Sequence, residues 1–227
     1  MSKSSTDAAA ADGGRRRPRA VPARSRPGSD GVSTSERILD AALASFASRG
    51  YEASALDGLA DGLGIRKQTI LYWFQSKEAL LEAVIDRSAI ELSAALEESL
   101  TTAGTGWARV EAVVRSVFRL AARRPELLGL VRETGRLGTP AATRLVTALD
   151  PLVARASGFL QAEMDSGHMR RHEPRLLLLA IYSTVIGMVT EVEVGRAFGE
   201  EPTARSLVRR RNEILELLRS ALVTDQG

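Results

Sequence analysis

The stretch "GLGIRKQTILYWF", residues 62–74, joins a glycine turn signal to a polar segment and an aromatic cluster. Gly64 and Ile65 are followed at once by side chains that can donate hydrogen bonds: Arg66, Lys67, Gln68 and Thr69. Ile70 and Phe74 are four residues apart, so on a helix they share one face and bury together. The spacing therefore predicts a short helix with an inner anchoring face and an outer polar face.

The residues just before this stretch predict a helix-turn-helix over 55–74. Leu59 and Leu63 have helical spacing, Gly64 ends their helix, and Ile65 fills the corner. Long donors at the start of an exposed helix suit the DNA major groove, where the first residues of a reading helix reach the base edges. Lysine can donate to guanine, glutamine can pair with adenine, and threonine can do either.

The aromatic end of the stretch is expected to contact the sugar–phosphate backbone of DNA. Tyr72 and Trp73 are amphipathic and each offers one donor, although one of the two is expected to pack in the core. Lys77 follows in the next helix, at a position suited to a phosphate. For Arg66 and Lys67 the alternative is a solvated charge pair without a DNA contact.

The composition is that of a globular chain and sets the class of protein. The 227 residues are 44% hydrophobic and 26% charged, with no cysteine and a net charge of +3. The first residues show no apolar secretory segment, and the longest apolar run, "LLLLAIYSTVIGMV" (176–189), is shorter than the roughly 18–20 residues of a membrane span. We therefore expect a cytoplasmic protein that makes no membrane contact.

Residues 1–32 differ from the rest of the chain in composition. They hold seven basic and three acidic residues and almost no large apolar side chains, which predicts disorder. The segment "RRRPRAVPARSR" (15–26) contains six arginines. It is either a basic arm that contacts nucleic acid or a solvated tail without fixed contacts.

The remaining sequence predicts an all-α fold of about nine helices and no sheet. Ser33 with Glu36, and Ser54 with Asp57, have the spacing of a capping box, and Ser76 is placed to cap a fourth helix that ends near Leu100. The later helices are predicted at 107–123, 125–136, 140–166, 174–198 and 203–223.

Residues 36–85 resemble the DNA-binding domain of the TetR family of transcriptional regulators. The resemblance rests on "A-L-x-x-F-x-x-x-G-Y" (42–51), "L-A-x-x-L-G-I" (59–65), Phe74 and "S-K-E-A-L" (76–80). It implies a DNA-binding domain at 33–92 and a helical ligand-binding and dimerisation domain at 93–227, which matches the family only in length and helical layout.

The resemblance also implies a function and further site residues. A homodimer would bind a palindromic operator in double-stranded DNA, usually as a repressor, and a small-molecule effector would change the spacing of the two reading helices. The family often has threonine, a phosphate contact, at the position of Ala55, and Ser54 stands one residue earlier. It usually has tyrosine at the position of Leu71, which here could touch a thymine methyl group.

In the second domain, six large or polar side chains could line a ligand pocket: Trp107, Phe118, Arg132, Met164, Tyr182 and Met188. The alternative is that they are ordinary core or surface residues. The apolar helix at 174–198 and the helix at 203–223 are expected to form the dimer interface. The alternative is a central helix within a monomer core.

No sequence feature favours an enzyme, a metal site or a cofactor. The chain has no nucleophile elbow, phosphate loop or dinucleotide glycine pattern. His168 and His172 have metal-ligand spacing but lie in an expected exposed turn without a carboxylate partner. Two alternatives stay open: a transcriptional activator, and a ligand-sensing helical protein that acts through protein contacts.

Overall fold

The computed structural model describes residues 33–102 and 104–224, so the predicted tail at 1–32 lies outside the described residues. Within these ranges the chain forms ten helices and no named strand. They are α1 (Thr34–Arg49), α2 (Leu56–Leu63), α3 (Lys67–Phe74), α4 (Lys77–Thr102), α5 (Trp107–Arg123), α6 (Pro125–Leu137), α7 (Thr139–Asp165), α8 (Pro174–Thr190), α9 (Val192–Ala197) and α10 (Ala204–Leu222).

The all-α prediction is confirmed, but the predicted helix at 174–198 is two helices. The chain breaks at Glu191, which is the C-cap of α8 and the N-cap of α9, with ψ near 68°. No proline or glycine marks the break in the sequence. None of the helices in the described ranges has the length and apolar character to cross a membrane.

The start of α1 forms as the sequence predicts. Ser33 Oγ accepts from the Glu36 N–H at 3.2 Å, and the Glu36 carboxylate accepts from the Ser33 N–H at 2.7 Å. The helix is followed by its C-cap Gly50, whose φ of 85° is a conformation that glycine adopts readily and other residues rarely do. The Gly50 N–H donates to Phe46 O. The two bonds of the capping box satisfy donors that a helix start leaves unpaired.

The capping box predicted for α2 is wrong. The N-cap is Ala55, which makes no side-chain cap bond, and Ser54 lies one residue outside the helix with no exposed surface. Ser54 Oγ instead donates to Gly50 O at 2.8 Å and lies 2.6 Å from Ser45 Oγ. The serine therefore ties the α1–α2 loop to α1.

A buried apolar cluster, which we call the N-terminal core, holds the first four helices together. Ile38, Leu43, Phe46, Ile70, Leu80, Val84 and Ile85 are each 0–1% exposed. The cluster continues into α6 and α7 through Leu127 and Leu130. Since α4 also runs through residue 92 without a break, the boundary between the two predicted domains is not a gap in the core.

Helix α6 joins the N-terminal helices to the rest of the chain. A Cβ at Gly129 would stand 2.9 Å from the Cβ of Ala47 in α1, so the two helices meet at van der Waals contact. Beside this contact, the buried Glu133 carboxylate accepts from the Tyr51 N–H at 2.6 Å. The α1–α2 loop is therefore fixed directly to α6.

Candidate nucleic-acid interface

The turn between α2 and α3 has the geometry that its glycine predicts. Gly64 adopts a left-handed φ of 65°, and the Ile65 N–H donates to Ala60 O at 3.0 Å. This is the hydrogen-bond pattern of a Schellman helix end, which is readily formed by glycine. It directs Ile65 onto the N-terminal core and starts α3 two residues later.

The inner face of α3 is fixed by apolar contacts. Ile70 has no exposed surface, and Phe74, four residues on, packs partly buried against the same core. Leu71 also packs against this core, which leaves only part of its side chain for the thymine contact. Since burying such side chains stabilises the fold by about 1.5–3 kcal/mol each, α3 is held firmly enough to present its other face.

The outer face of α3 carries the remaining predicted residues. Arg66, Gln68, Tyr72 and Trp73 are exposed, and Thr69 is half-buried. Tyr72 is 74% and Trp73 42% exposed, with their rings edge to face at 5.6 Å, so the expectation that one of them is a core residue is wrong. Both offer an aromatic surface and a donor to solvent.

Lys67 is not free in this conformation. Its ammonium lies 2.9 Å from the Asp57 carboxylate of α2, with both side chains largely exposed. An exposed ion pair of this kind contributes about 0–1 kcal/mol, so phosphate or a base edge can replace it. A phosphate or base edge would therefore have to displace Asp57 from Lys67.

Lys77 is held at the start of α4 by the α1–α2 loop. Its Nζ lies 4.2 Å from the ring centroid of Tyr51 and donates to Glu52 O at 3.2 Å. The Tyr51 hydroxyl in turn donates to the Glu78 carboxylate at 3.2 Å. Burial, together with that carboxylate, raises the pKa of Tyr51 to about 12, so the hydroxyl stays protonated as a donor.

The starts of both short helices offer backbone donors. Ala55 and Arg66, the N-caps of α2 and α3, make no side-chain cap bond. Uncapped N–H groups at a helix start, with the positive end of the helix dipole, suit a phosphate. The Ser54 hydroxyl is not available for the predicted phosphate contact in this conformation, because it is buried and hydrogen-bonded within the protein. Ala55 has no polar side chain, so it can contribute only its backbone N–H.

One exposed residue at this surface was not anticipated. Gln75 ends α3 with a φ of 53°, and in the described residues it is the one non-glycine with positive φ. Gln75 is exposed and directly follows the last residue of α3. A polar residue between a partly buried phenylalanine and a capping serine was the available sequence signal.

A model of the family described as bacterial regulatory proteins, tetR family, matches residues 38–84. This range contains α2 and α3, the turn between them and most of the N-terminal core. Residues 38–84 therefore form a TetR-family domain, as the resemblance predicts.

Curated relatives align with this chain over only part of its length. It is 32% identical over 106 residues to the HTH-type transcriptional activator FasR of Mycolicibacterium smegmatis, covering 47% of this chain and 45% of FasR. It is 26% identical over 148 residues to the HTH-type transcriptional regulator RutR of Escherichia coli, covering 65% of this chain and 69% of RutR. The FasR alignment thus spans less than half of that relative.

Solved structures share the fold over most of the chain. The transcriptional regulator FadR from Bacillus subtilis, solved with stearoyl-CoA, has a TM-score of 0.68 at 24% identity over 82% of this chain and 97% of FadR. A regulator from Saccharomonospora viridis, solved with choline, has a TM-score of 0.68 at 19% identity, covering 84% and 97%. At these identities the likeness establishes the fold alone.

The C-terminal part of the chain contains an apolar cavity of about 260 Å³ between α4, α5, α6, α7 and α8. Of the six predicted pocket residues, Tyr182 alone lines it. Phe118 and Met164 are buried in packed clusters beside it, and Trp107 packs between those clusters. The other lining residues are leucine, isoleucine, valine and alanine.

The two other pocket candidates lie elsewhere. Arg132 is at the surface of α6, where its guanidinium is 3.7 Å from the Glu191 carboxylate. Met188 packs against α10 and faces a separate depression that contains Phe198 and Arg210. The prediction placed large and polar side chains around the cavity, whereas branched aliphatic side chains enclose it.

Proposed function

We propose that this protein is a DNA-binding transcriptional regulator that binds a palindromic operator as a homodimer, acts as a repressor in the cytoplasm, and responds to a small-molecule effector. The observation that carries the proposal is the outer face of α3. Gln68 and the aromatic pair Tyr72 and Trp73 are exposed on an eight-residue helix that buried Ile70 anchors. Arg66, the N-cap of this helix, is a further exposed donor. A protein that acts only through protein contacts has no use for base-reading donors in this position.

The local charge agrees with selective rather than general DNA binding. Residues 33–92 hold six basic and nine acidic residues, and Asp57 and Asp61 are exposed on α2 beside the reading helix. Nonspecific affinity comes from neutralised phosphates, so this domain gains little of it. The arginine-rich segment 15–26 would then supply phosphate-directed charge.

The reading role is tested by fluorescence anisotropy. Duplexes enriched from a random pool and scrambled duplexes are titrated with the wild type and with Gln68→Ala. Loss of a base contact should weaken binding to the enriched duplex by roughly tenfold to a hundredfold and leave the scrambled duplex almost unchanged. Gln161→Ala is the matched control, because Gln161 is exposed on α7. If both duplexes bind weakly and equally to wild type, the DNA-reading proposal fails.

The role of the basic arm is tested by removing residues 1–30. The truncated protein should bind the enriched duplex more weakly and with a shallower dependence on salt, because fewer counterions are released. An unchanged salt slope would show that the segment is a solvated tail.

The dimer proposal rests on apolar side chains that face solvent on α8 and α10. Leu176 is 66% and Leu179 56% exposed on α8, and Val208 and Leu217 are exposed on α10. Such surfaces are typical of subunit interfaces, and the same patch on two copies can form a four-helix contact. Operator half-sites one turn apart would then hold the two α3 helices roughly 34–36 Å apart.

Leu179→Asp tests this interface by light scattering after gel filtration. A carboxylate in the contact should raise the dimer dissociation constant by at least about a hundredfold. Val146→Asp is the control, because Val146 is 59% exposed but lies on α7. If both substitutions dissociate the dimer equally, or if neither does, the interface lies elsewhere.

An activator is the second candidate, since the relative FasR is named an activator. The two functions are separated by transcription in vitro from a promoter that carries the enriched operator. A repressor lowers transcript yield as protein is added, whereas an activator raises it.

A further inference from the structure

The large cavity of the C-terminal part continues toward a half-buried arginine, Arg109. A smaller apolar space of about 70 Å³ shares Leu100, Ala156 and Leu178 with the large cavity, and Arg109 lines it. Arg109 stands in the first turn of α5, close to the end of α4. The two spaces together therefore have an aliphatic body and one cationic end.

Arg109 is half-buried and has no charged partner among the described residues. Its Nε is buried without a hydrogen-bond partner, and no ion pair to Arg109 is found in the ranges 33–102 and 104–224. Its guanidinium carbon lies 4.9 Å from the ring centroid of Phe159 on α7, which orients it against the apolar wall. Glu163, one turn further along α7, is already engaged by the Gly106 N–H and His168, each at 3.1 Å.

An arginine without a charged partner beside an apolar cavity is a candidate binding site for an anion. Placing part of a cation against apolar side chains is costly where a donor such as Nε has no hydrogen-bond partner, and a bound anion would remove that cost. Its planar donor fork matches a carboxylate in two parallel hydrogen bonds. The aliphatic wall, in contrast, offers a ligand nothing but apolar contact, apart from the hydroxyl of Tyr182.

We infer that the cavity binds an amphipathic acid, with its carboxylate at Arg109 and its apolar body between α5, α7 and α8. An apolar cavity of about 150 Å³ holds one six-carbon benzene ring. The large space of about 260 Å³ therefore corresponds to an apolar body of roughly ten carbons. The inference rests on the proposed function only in that this acid would be the effector.

Isothermal titration with sodium decanoate and 1-decanol tests the inference on the wild-type protein. Both probes have the same apolar length, but only decanoate can pair with Arg109. Decanoate should bind about tenfold to a hundredfold more tightly, as expected for a charge-assisted hydrogen-bonded pair. Equal affinities, or no binding of decanoate, would overturn the inference without any variant.

Three variants locate the two ends of the ligand. Arg109→Met should weaken decanoate binding by about tenfold to a hundredfold and change decanol binding by less than about threefold. Arg119→Met is the matched control, because Arg119 is exposed on the same helix. Ala156→Phe should abolish binding of both probes, because Ala156 lines both spaces. If Arg109→Met unfolds by circular dichroism, Arg109→Gln replaces it.

Operator binding by the same samples separates this inference from the proposed function. Decanoate binding with the predicted selectivity, but no specific DNA binding, would leave the inference standing and remove the regulator. Specific DNA binding without decanoate binding would support the regulator and overturn the inference. Decanoate that binds and also releases the enriched duplex would support both the inference and the proposed function. In that case Arg109→Met should need a correspondingly higher decanoate concentration to release the duplex.

Discussion

The N-terminal helices and the C-terminal helices bury their apolar residues in different ways. In the described part of α1–α3, only Tyr72 and Trp73 are large apolar side chains that remain exposed, and both stand on the outer face of α3. Across α7–α10 exposed apolar side chains are frequent, and an apolar cavity remains open between the helices. The first region is built to hold one helix still, and the second leaves surface and volume for other molecules.

A matched pair of leucine truncations tests this comparison with the largest expected effect. Leu43→Ala removes a side chain that is 1% exposed in the N-terminal core and should cost about 3–5 kcal/mol of unfolding free energy. Leu152→Ala removes one that already faces the cavity, so it loses fewer packing contacts. We expect a cost at least about 1 kcal/mol smaller.

Urea unfolding at one fixed protein concentration measures both costs. The fixed concentration matters because dimerisation would add to the apparent stability. Equal costs for the two substitutions would mean that the cavity wall is as tightly packed as the N-terminal core, and the contrast between the regions would be lost.

The sequence was sufficient where a signal is local. The capping box at Ser33, the left-handed Gly64 and the four-residue spacing of Ile70 and Phe74 each depend on neighbours within a turn or two. These features fixed the two short helices and the outer face of α3. The family resemblance over 36–85 rests on the same local features.

Features that depend on distant contacts could not be predicted in the same way. A serine before a helix can cap it or bond back to the preceding turn, and Ser54 bonds back because Ser45 is beside it. A cavity has no sequence signal of its own, since its wall uses the same aliphatic residues as a filled core. Arg109 was missed because an arginine on an amphipathic helix is ordinarily solvated.

The contact between the two regions gives the next largest effect. Gly129→Ala would place a Cβ 2.9 Å from the Ala47 Cβ and 3.2 Å from the Ala47 carbonyl oxygen, so α1 and α6 must separate. Overpacking of this kind should cost about 1–3 kcal/mol. The same substitution at Gly135, on the same helix with no atom within 4 Å, should instead stabilise by up to about 1 kcal/mol.

Thermal unfolding and operator titration read out the two glycine variants. If separation of α1 from α6 is transmitted to α3, Gly129→Ala should also weaken binding to the enriched duplex, and Gly135→Ala should not. Unchanged DNA affinity in a destabilised Gly129→Ala would show that the contact stabilises the protein without setting the position of the reading helix.

The polar link beside this contact should have a smaller, pH-dependent effect. The hydrogen bond from Arg136, assisted by the Tyr51 N–H, lowers the pKa of Glu133 below its ordinary value of 4.5. A lowered carboxyl pKa contributes stability above about pH 4.5 that is lost as pH falls through the folded-state pKa. Glu133→Gln should therefore cost about 1 kcal/mol at neutral pH, because Arg136 is largely exposed and the amide can still accept from Tyr51.

Unfolding curves between pH 3 and 7 test the sign of this effect. The difference between wild type and Glu133→Gln should be constant near neutrality and shrink in the acid range. Glu216→Gln, at an exposed position of α10, is the control. A difference that persists unchanged at pH 3 would assign the loss to packing instead of charge.

The smallest effect on stability is expected at the proposed DNA-binding surface of the N-terminal region. Asp57→Asn breaks the exposed pair with Lys67 and should change the unfolding free energy by less than about 1 kcal/mol. It should nevertheless tighten binding to the enriched duplex by about twofold to tenfold at low salt, because it frees Lys67 and removes a negative charge near the phosphates. Asp61→Asn removes an exposed charge from the same helix without freeing a lysine, so the excess gain of Asp57→Asn over Asp61→Asn isolates Lys67. Equal gains would reduce the effect to net charge, and the outer face of α3 would then owe its selectivity to Arg66, Gln68 and the aromatic pair.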